Sequence, residues 1–436
     1  MRNKQNIPDS HINTLADARI AAATNQPGGI AEYHASVFGR QTRRTRSSFP
    51  TPVYADLMGD ISVWDDRLPV IEATRAANTT EFLTGIQSMK VTTGDVTQAG
   101  GGSAVECVPA SPLDLSNTLP HLSYFVHETG ASNINYGSIT LYSGANYKQY
   151  KWFHTISTTA NNTGWGMIGF GPSAETLTQS GTLDWSAITK ILIRIDRTSP
   201  AVSSVSFDNL LCLPKMAVPK VAITFDDGYA SAYPCAAYMA GKGLPAVFYV
   251  IPSLIGTNAA YLTWEQCRWM ERLNMVIGNH TNDHETWDSQ TVSQRAENVS
   301  AGIRALFENT SGAGARVLAT PGGAWKGDED EAAIMPLVEQ VRLVGGQGGA
   351  GKTTLARPEL MTCSLSVATT ALAADINAAA TVYEACKIDG APCVLNFHGI
   401  TGDAIAAFQT LIDTITTDHR AGTVNVVTIA DMLAGW

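Results

Sequence analysis

Short runs of alternating apolar and polar residues fill the chain from about residue 55 to 214, separated by clusters of Gly, Asn, Ser and Thr. A period of two places every second side chain on one face of a strand. The runs therefore predict strands at His121–His127, Ser138–Tyr142, Trp165–Phe170, Lys190–Asp196 and Ser204–Leu213. In Ile191-Leu192-Ile193-Arg194-Ile195 the isoleucines share one face. No helical periodicity interrupts this region, and the expectation for 55–214 is an all-β, jelly-roll-like sandwich. The pattern changes at Pro214-Lys215-Met216-Ala217-Val218-Pro219, where two prolines bracket a connector. Beyond it, apolar runs alternate with helical stretches at Tyr233–Lys242, Trp264–Leu273, Ser293–Asn309 and Asp328–Val341. That alternation predicts a second domain over 218–436, built on a parallel α/β sheet or barrel. Residues 1–54 read as an arm. A helical stretch at Asp17–Ala23 and a breaker at Asn25–Gly29 precede Arg40, Arg43, Arg44 and Arg46. This arginine cluster fits a solvated linker or, as the sharper reading, docking onto a larger assembly.

Charge and cysteine content narrow the classes. Lys and Arg number 29 against 39 Asp and Glu, a net of −10. Such a chain lacks the overall positive field that wraps nucleic acid. No run reaches the ~18 apolar residues of a membrane span. The start, Met-Arg-Asn-Lys-Gln-Asn-Ile-Pro, shows no apolar signal segment. Seven cysteines, odd in number and without a C-x-x-C pair, predict neither a disulfide framework nor a thiolate zinc site. The aromatics of the β-rich half, Tyr136, Tyr142, Tyr147, Tyr150, Trp152 and Trp165, read as core or as platforms for sugar rings.

In the C-terminal half, chemistry-bearing residues follow apolar runs. Val221–Phe225 leads into Asp226-Asp227-Gly228. Met275–Asn279 leads into His280-Thr281-Asn282-Asp283-His284. Val394–Phe397 leads into His398. Active sites of parallel α/β barrels gather at the C-terminal ends of strands. Each piece alone has a bland reading: a turn, a surface pair of histidines, a structural histidine. Their joint occurrence points to a metal or acid–base site.

On these residues the sequence resembles the polysaccharide deacetylases with a NodB-type domain, carbohydrate esterase family 4. Thr224-Phe225-Asp226-Asp227-Gly228 matches the family's first motif and His280–His284 its H-[ST]-x-x-H motif. Leu395-Asn396-Phe397-His398 stands where its late histidine motif lies. Ala319-Thr320-Pro321-Gly322-Gly323 resembles the middle R-x-P-Y-G motif. The resemblance covers about Val218 to Trp436. It implies a distorted (β/α) barrel and one divalent metal, usually zinc, with cobalt, nickel or manganese as alternatives. Asp227, His280 and His284 would be its ligands, Asp226 the general base and His398 the general acid. A backbone N–H near Gly322 would help hold the oxyanion. Tyr229 and Trp325 are added as candidate cleft aromatics that contact substrate. The sequence departs from the family where Ala319 stands for an arginine, with Arg316 three residues off, and where Gly322 stands for a tyrosine. No D-x-x-D-W-type motif is evident.

The implied reaction is removal of N-acetyl, or alternatively O-acetyl, groups from an amino-sugar glycan. The expected place of action is extracytoplasmic, reached without a visible signal, and a phage-tail component fits as well. Two other classes compete. One is a non-catalytic glycan-binding or adhesion protein on a retired barrel, which the intact Asp226, Asp227, His280, His284 and His398 argue against. The other is a nucleotide-binding protein, because Gly346–Thr353 fits G-x-x-x-x-G-K-[ST]. Pro358 would cut short the helix a P-loop needs, and no Walker-B-type strand follows. The segment reads instead as a Gly-rich loop after a barrel strand.

Overall fold

A computed structural model describes residues 54 to 432, apart from 66–72, 83–85, 94–101, 128–133, 153–164, 173–176, 198–201, 345–354, 358–359, 363–364, 368–371 and positions 57, 59 and 327. The arm with its arginines and the Gly-rich stretch 346–353 thus lie outside the described residues. All described residues fall in one compact unit, Phe49–Trp436.

The N-terminal part contributes β1 (Tyr54–Asp56), β2 (Trp64–Asp65), β3 (Ala73–Asn78), β4 (Ser88–Thr93), β5 (Gly102–Cys107), β6 (Thr118–Val126), β7 (Ile134–Ser143), β8 (Asn146–Trp152), β9 (Trp165–Gly169), β10 (Thr178–Ser180), β11 (Lys190–Arg197) and β12 (Ser204–Pro214). They form two sheets, in the orders β3-β4-β12-β6-β9 with β1 beside β12, and β10-β8-β7-β11-β5-β2. Pairing within both is antiparallel. One buried cluster draws on both sheets: Met89, Leu122, Tyr124 and Phe207 from the first, Val105, Ile139, Tyr150, Ile191, Ile193 and Ile195 from the second. The predicted strands are all present, and the isoleucine face of β11 is buried as its alternation requires.

The C-terminal part alternates β13 (Lys220–Phe225), α1 (Ala232–Lys242), β14 (Val247–Val250), α2 (Trp264–Arg272), β15 (Val276–Asn279), α3 (Val292–Asn309), β16 (Val317–Ala319), α4 (Asp328–Ala333) and β17 (Gln340–Leu343). After β18 (Leu355–Arg357), β19 (Leu360–Thr362) and β20 (Leu365–Ser366) come α5 (Ala373–Asp389), β21 (Cys393–Phe397), α6 (Ala404–Ala421) and β22 (Asn425–Val426). The sheet runs β18-β19-β17-β16-β15-β14-β13-β21-β20, with β22 also on β13. Every pair is parallel except β18 with β19. Among the described residues it is an open series, so the expected barrel takes the form of an open parallel sheet. No described helix is long and apolar enough to cross a membrane.

Helix limits follow local chemistry. Thr263 and Thr291 cap α2 and α3 through capping boxes with Gln266 and Gln294. Gly243, Gly390 and Gly422 end α1, α5 and α6 in left-handed geometry. The helix expected over Asp328–Val341 is not continuous. It stops at Ala333, and Val341 lies in β17. Pro336 accounts for this, since it lacks an N–H and disfavours helix at the preceding residue.

Alternation along the parallel strands splits the core. Val221, Ile223, Phe225, Phe248, Leu318, Val341, Leu395 and Phe397 pack with residues of the helices. Ala222, Val247, Tyr249, Val317, Ala319 and Val394 face the other way, in a cluster that includes Leu211 and Leu213 of β12. The antiparallel part therefore completes the packing of the parallel sheet. Leu213 is fully buried there, and Leu213→Ala is expected to cost about 2–5 kcal/mol of stability. Denaturant unfolding followed by fluorescence checks this. A loss well under 1 kcal/mol would mean that the two parts do not share a core.

Candidate metal and acid–base site

The same alternation assembles the site. Stepping by twos from the apolar floor leads from Ala222 through Thr224 to Asp226, and from Val394 through Asn396 to His398. The same step of two separates Gly278 from His280 and Gln340 from Arg342. The C-terminal ends of four strands thus bring carboxylate, imidazole, amide and guanidinium to one face.

Asp227 lies just beyond β13 with φ 68°, followed by Gly228 at φ 72°. In the loop after β15, Thr281 and His284 have φ 61° and 58°. Left-handed geometry is unfavourable for such residues, above all for β-branched threonine. It turns the chain tightly enough for His280 and His284 to face the same carboxylate. Asn298 of α3 clamps this loop. Its Oδ1 accepts from the Asn282 N–H at 2.8 Å, and its Nδ2 donates to Asp283 Oδ1. Thr281 Oγ1 accepts from the His284 N–H at 3.2 Å.

Asp227 Oδ1 lies 3.5 Å from His280 Nε2 and 3.7 Å from His284 Nε2. The three ligating atoms all sit within 4.8 Å of one another. Donors about 2.0–2.1 Å from a tetrahedral ion are spaced about 3.4 Å apart, so the set fits a small divalent metal. His280 Nδ1 donates to the Ala319 carbonyl at 2.8 Å, which leaves Nε2 as the lone-pair nitrogen facing Asp227. Two imidazoles with one carboxylate suit zinc and its neighbours better than calcium or magnesium. Burial works against a protonated His280, but the Asp226 and Asp227 carboxylates outweigh it and raise its pKa.

Asp226 has different partners. It is 2% exposed. Oδ1 takes an ion pair from Arg342, which is fully buried. Oδ2 accepts from Asn396 Nδ2 at 2.9 Å. Asn396 is itself fixed, accepting from Thr224 Oγ1 at 2.8 Å and donating to Ser366 Oγ at 3.0 Å. Burial favours the neutral acid, yet Arg342, His280 and His398 reverse this and lower the Asp226 pKa to about 2. His398 donates Nδ1–H to the Val367 carbonyl at 2.6 Å, and its Nε2 stands 3.8 Å from Asp226 Oδ2.

The structure therefore brings Asp226, Asp227, His280, His284 and His398 together. Tyr229 follows Gly228 and stacks on Tyr261, with centroids 5.5 Å apart, and both rings are half-buried. Gly322 is exposed at φ 61°, and a Cβ there would meet nothing within 4 Å. Trp325 corrects the sequence reading. It is fully buried in the helix-side core, so it offers no surface to substrate. Arg316 hydrogen-bonds to the Leu337 and Pro336 carbonyls. The guanidinium on Asp226 belongs to Arg342, which sequence reasoning missed, as it missed Asn298. Strand alternation in Gln340-Val341-Arg342-Leu343 was the available signal for Arg342.

Residues 214–334 match the family model described as polysaccharide deacetylase, in accord with the motif resemblance. No curated protein matches the chain. Among solved structures, it is similar to a putative polysaccharide deacetylase from Mycobacterium smegmatis, with 15% identity, TM-score 0.39, and 50% of this chain and 93% of that chain covered. It is also similar to a family 4 carbohydrate esterase from Bacillus anthracis, with 16% identity, TM-score 0.33, and 50% and 83% covered. A third is a family 4 acetyl xylan esterase from Clostridium thermocellum in complex with a cobalt ion, with 15% identity, TM-score 0.34, and 49% and 89% covered.

Three outcomes follow from this geometry. One divalent metal ion per chain is expected, with His280→Ala and His284→Ala each losing it in elemental analysis. Unchanged metal in both variants would contradict the ligand set. Because the raised pKa of His280 makes a proton compete for Nε2, zinc affinity should fall as pH drops. Removing the loop clamp with Asn298→Ala should weaken zinc binding about 10–100-fold in a chelator competition while the helices persist by circular dichroism.

Proposed function

We propose, from the match of residues 214–334 to the polysaccharide deacetylases, that the chain is a metal-dependent hydrolase that removes acetyl groups from a glycan. The observation that carries this reading is the division of labour between adjacent carboxylates. Asp227 faces two imidazoles, whereas Asp226 faces Arg342 and Asn396. A bound divalent ion, zinc in this reading, would acidify its water and polarise the acyl oxygen.

The chain's own groups supply the rest. Asp226 is ionised and oriented, and Oδ2 takes the proton of the attacking water. His398, anchored through Nδ1, gives a proton from Nε2 to the departing amine, or to an alcohol in the ester variant. Tyr229, backed by Tyr261, borders Asp227 and offers a ring to the sugar. In this reading the N–H groups near Gly322, which is exposed and bears no side chain, would receive the oxyanion. An amide in an amino-sugar polymer is the preferred substrate.

The two antiparallel sheets are read as one jelly-roll-like sandwich, forming with 218–436 a two-domain enzyme. Its part would be to hold the polymer. On the outward face of β7, β8 and β11, Tyr136, Tyr142 and Tyr147 stand half-buried beside Arg194, which pairs with Asp196 at 2.7 Å. Such a mixture of rings and planar hydrogen-bonding groups suits carbohydrate.

Asp226→Asn tests the mechanism. It should keep its zinc and lose about 10²–10⁴-fold in acetate release from an acetylated amino-sugar oligomer. Near-normal turnover in this variant would show that Asp226 is not the proton acceptor.

A further inference from the structure

We infer that Arg342 is a positioning residue that keeps Asp226 out of the metal's ligand set, and that it does so from β17 in place of any side chain at position 319 of β16. The effect on turnover rests on the deacetylase reading, whereas the effect on zinc affinity does not.

Asp226 and Asp227 are consecutive, and both approach His280. Asp226 Oδ2 is 3.9 Å from His280 Nε2, little farther than Asp227 Oδ1 at 3.5 Å. A modest rotation would let Asp226 compete for the same ion. Two contacts oppose that rotation: Arg342 on Oδ1 and Asn396 on Oδ2. Gripped at both oxygens, the carboxylate is fixed in plane as well as in charge.

Arg342 is in turn fixed by what surrounds it. Its guanidinium lies 5.1 Å from the Tyr249 ring centroid. Tyr249 packs on Gly278, where a Cβ would stand 2.7 Å from the tyrosine Cδ1. A line of contacts thus runs from Gly278 through Tyr249 and Arg342 to Asp226. Ala319 is the register partner of Arg342 on the neighbouring strand. Its carbonyl holds His280, while its methyl group leaves the space that the guanidinium needs. Position 319 and position 342 are therefore two places from which an arginine could reach Asp226, and this chain uses the second.

The test compares the full chain with Arg342→Ala, Ala319→Arg, and the transposed double variant Ala319→Arg/Arg342→Ala. Zinc affinity is measured by competition with a chromophoric chelator, alongside acetate release. In Arg342→Ala the freed Asp226 should join the metal. Zinc should then bind about tenfold or more tightly, about 1.4 kcal/mol in free energy, while turnover drops about 100-fold or more. Transposing the arginine should return both values towards those of the unaltered chain. Ala319→Arg alone should crowd Arg342 and bring no gain.

Unchanged or weakened zinc affinity in Arg342→Ala would overturn the inference, since general damage to the site weakens binding rather than tightening it. If Arg342→Ala does not fold, the transposed variant decides. Its folding with ordinary zinc affinity supports the exchange, and its failure contradicts it. If the unaltered chain releases no acetate from any glycan, the deacetylase reading fails while the zinc affinities still judge Arg342.

Discussion

An ionised carboxylate that is almost wholly buried must be compensated on the spot, because leaving such a charge unpaired costs several kcal/mol. Asp226 sets that demand at the centre of the sheet. Arg342 answers it with charge and Asn396 with a hydrogen bond. Those partners have dependencies of their own. Arg342 needs the face of Tyr249, Tyr249 needs the missing Cβ of Gly278, and Asn396 needs Thr224 and Ser366. A large part of the inner face of the parallel sheet is therefore committed to one carboxylate. The same commitment leaves its neighbour Asp227 to the histidines.

The site's reliance on strand ends also explains why the sheet is built as it is. Apolar residues fill the inner face at the strand starts, where Leu211 and Leu213 of the antiparallel part join them. Polar groups occupy the same face one or two steps later. A parallel sheet with in-register neighbours is a direct way to bring such ends together, since Ile223 with Leu395 and Phe225 with Phe397 align β13 with β21. A one-residue slip of either strand would turn its site residue into the helix-side core.

Much of this was legible in the sequence. Alternation located the strands of the antiparallel part, and the helical stretches between apolar runs located α1, α2 and α3. The Asp-Asp-Gly and His-x-x-x-His motifs carried the metal-binding candidates without any coordinates. Arg342 was hidden because Asp328–Val341 read as one helical stretch, although Pro336 argues against a continuous helix there. Asn298 was hidden because a polar residue within a helix usually reads as a solvated position, and only the fold turns it towards the histidine loop. Trp325 was misread for the opposite reason. A tryptophan near a motif suggests a cleft, but tertiary packing drew it fully into the core.

The account's central claim is that consecutive aspartates have been given separate tasks by their surroundings. Anomalous diffraction at the zinc edge, on crystals of the zinc-loaded protein, tests it most directly. The expected result is a single peak within bonding distance of Asp227, His280 and His284, with the Asp226 carboxylate still held by Arg342 and Asn396. A peak ligated by both Asp226 and Asp227, or one centred away from the two histidines, would contradict it.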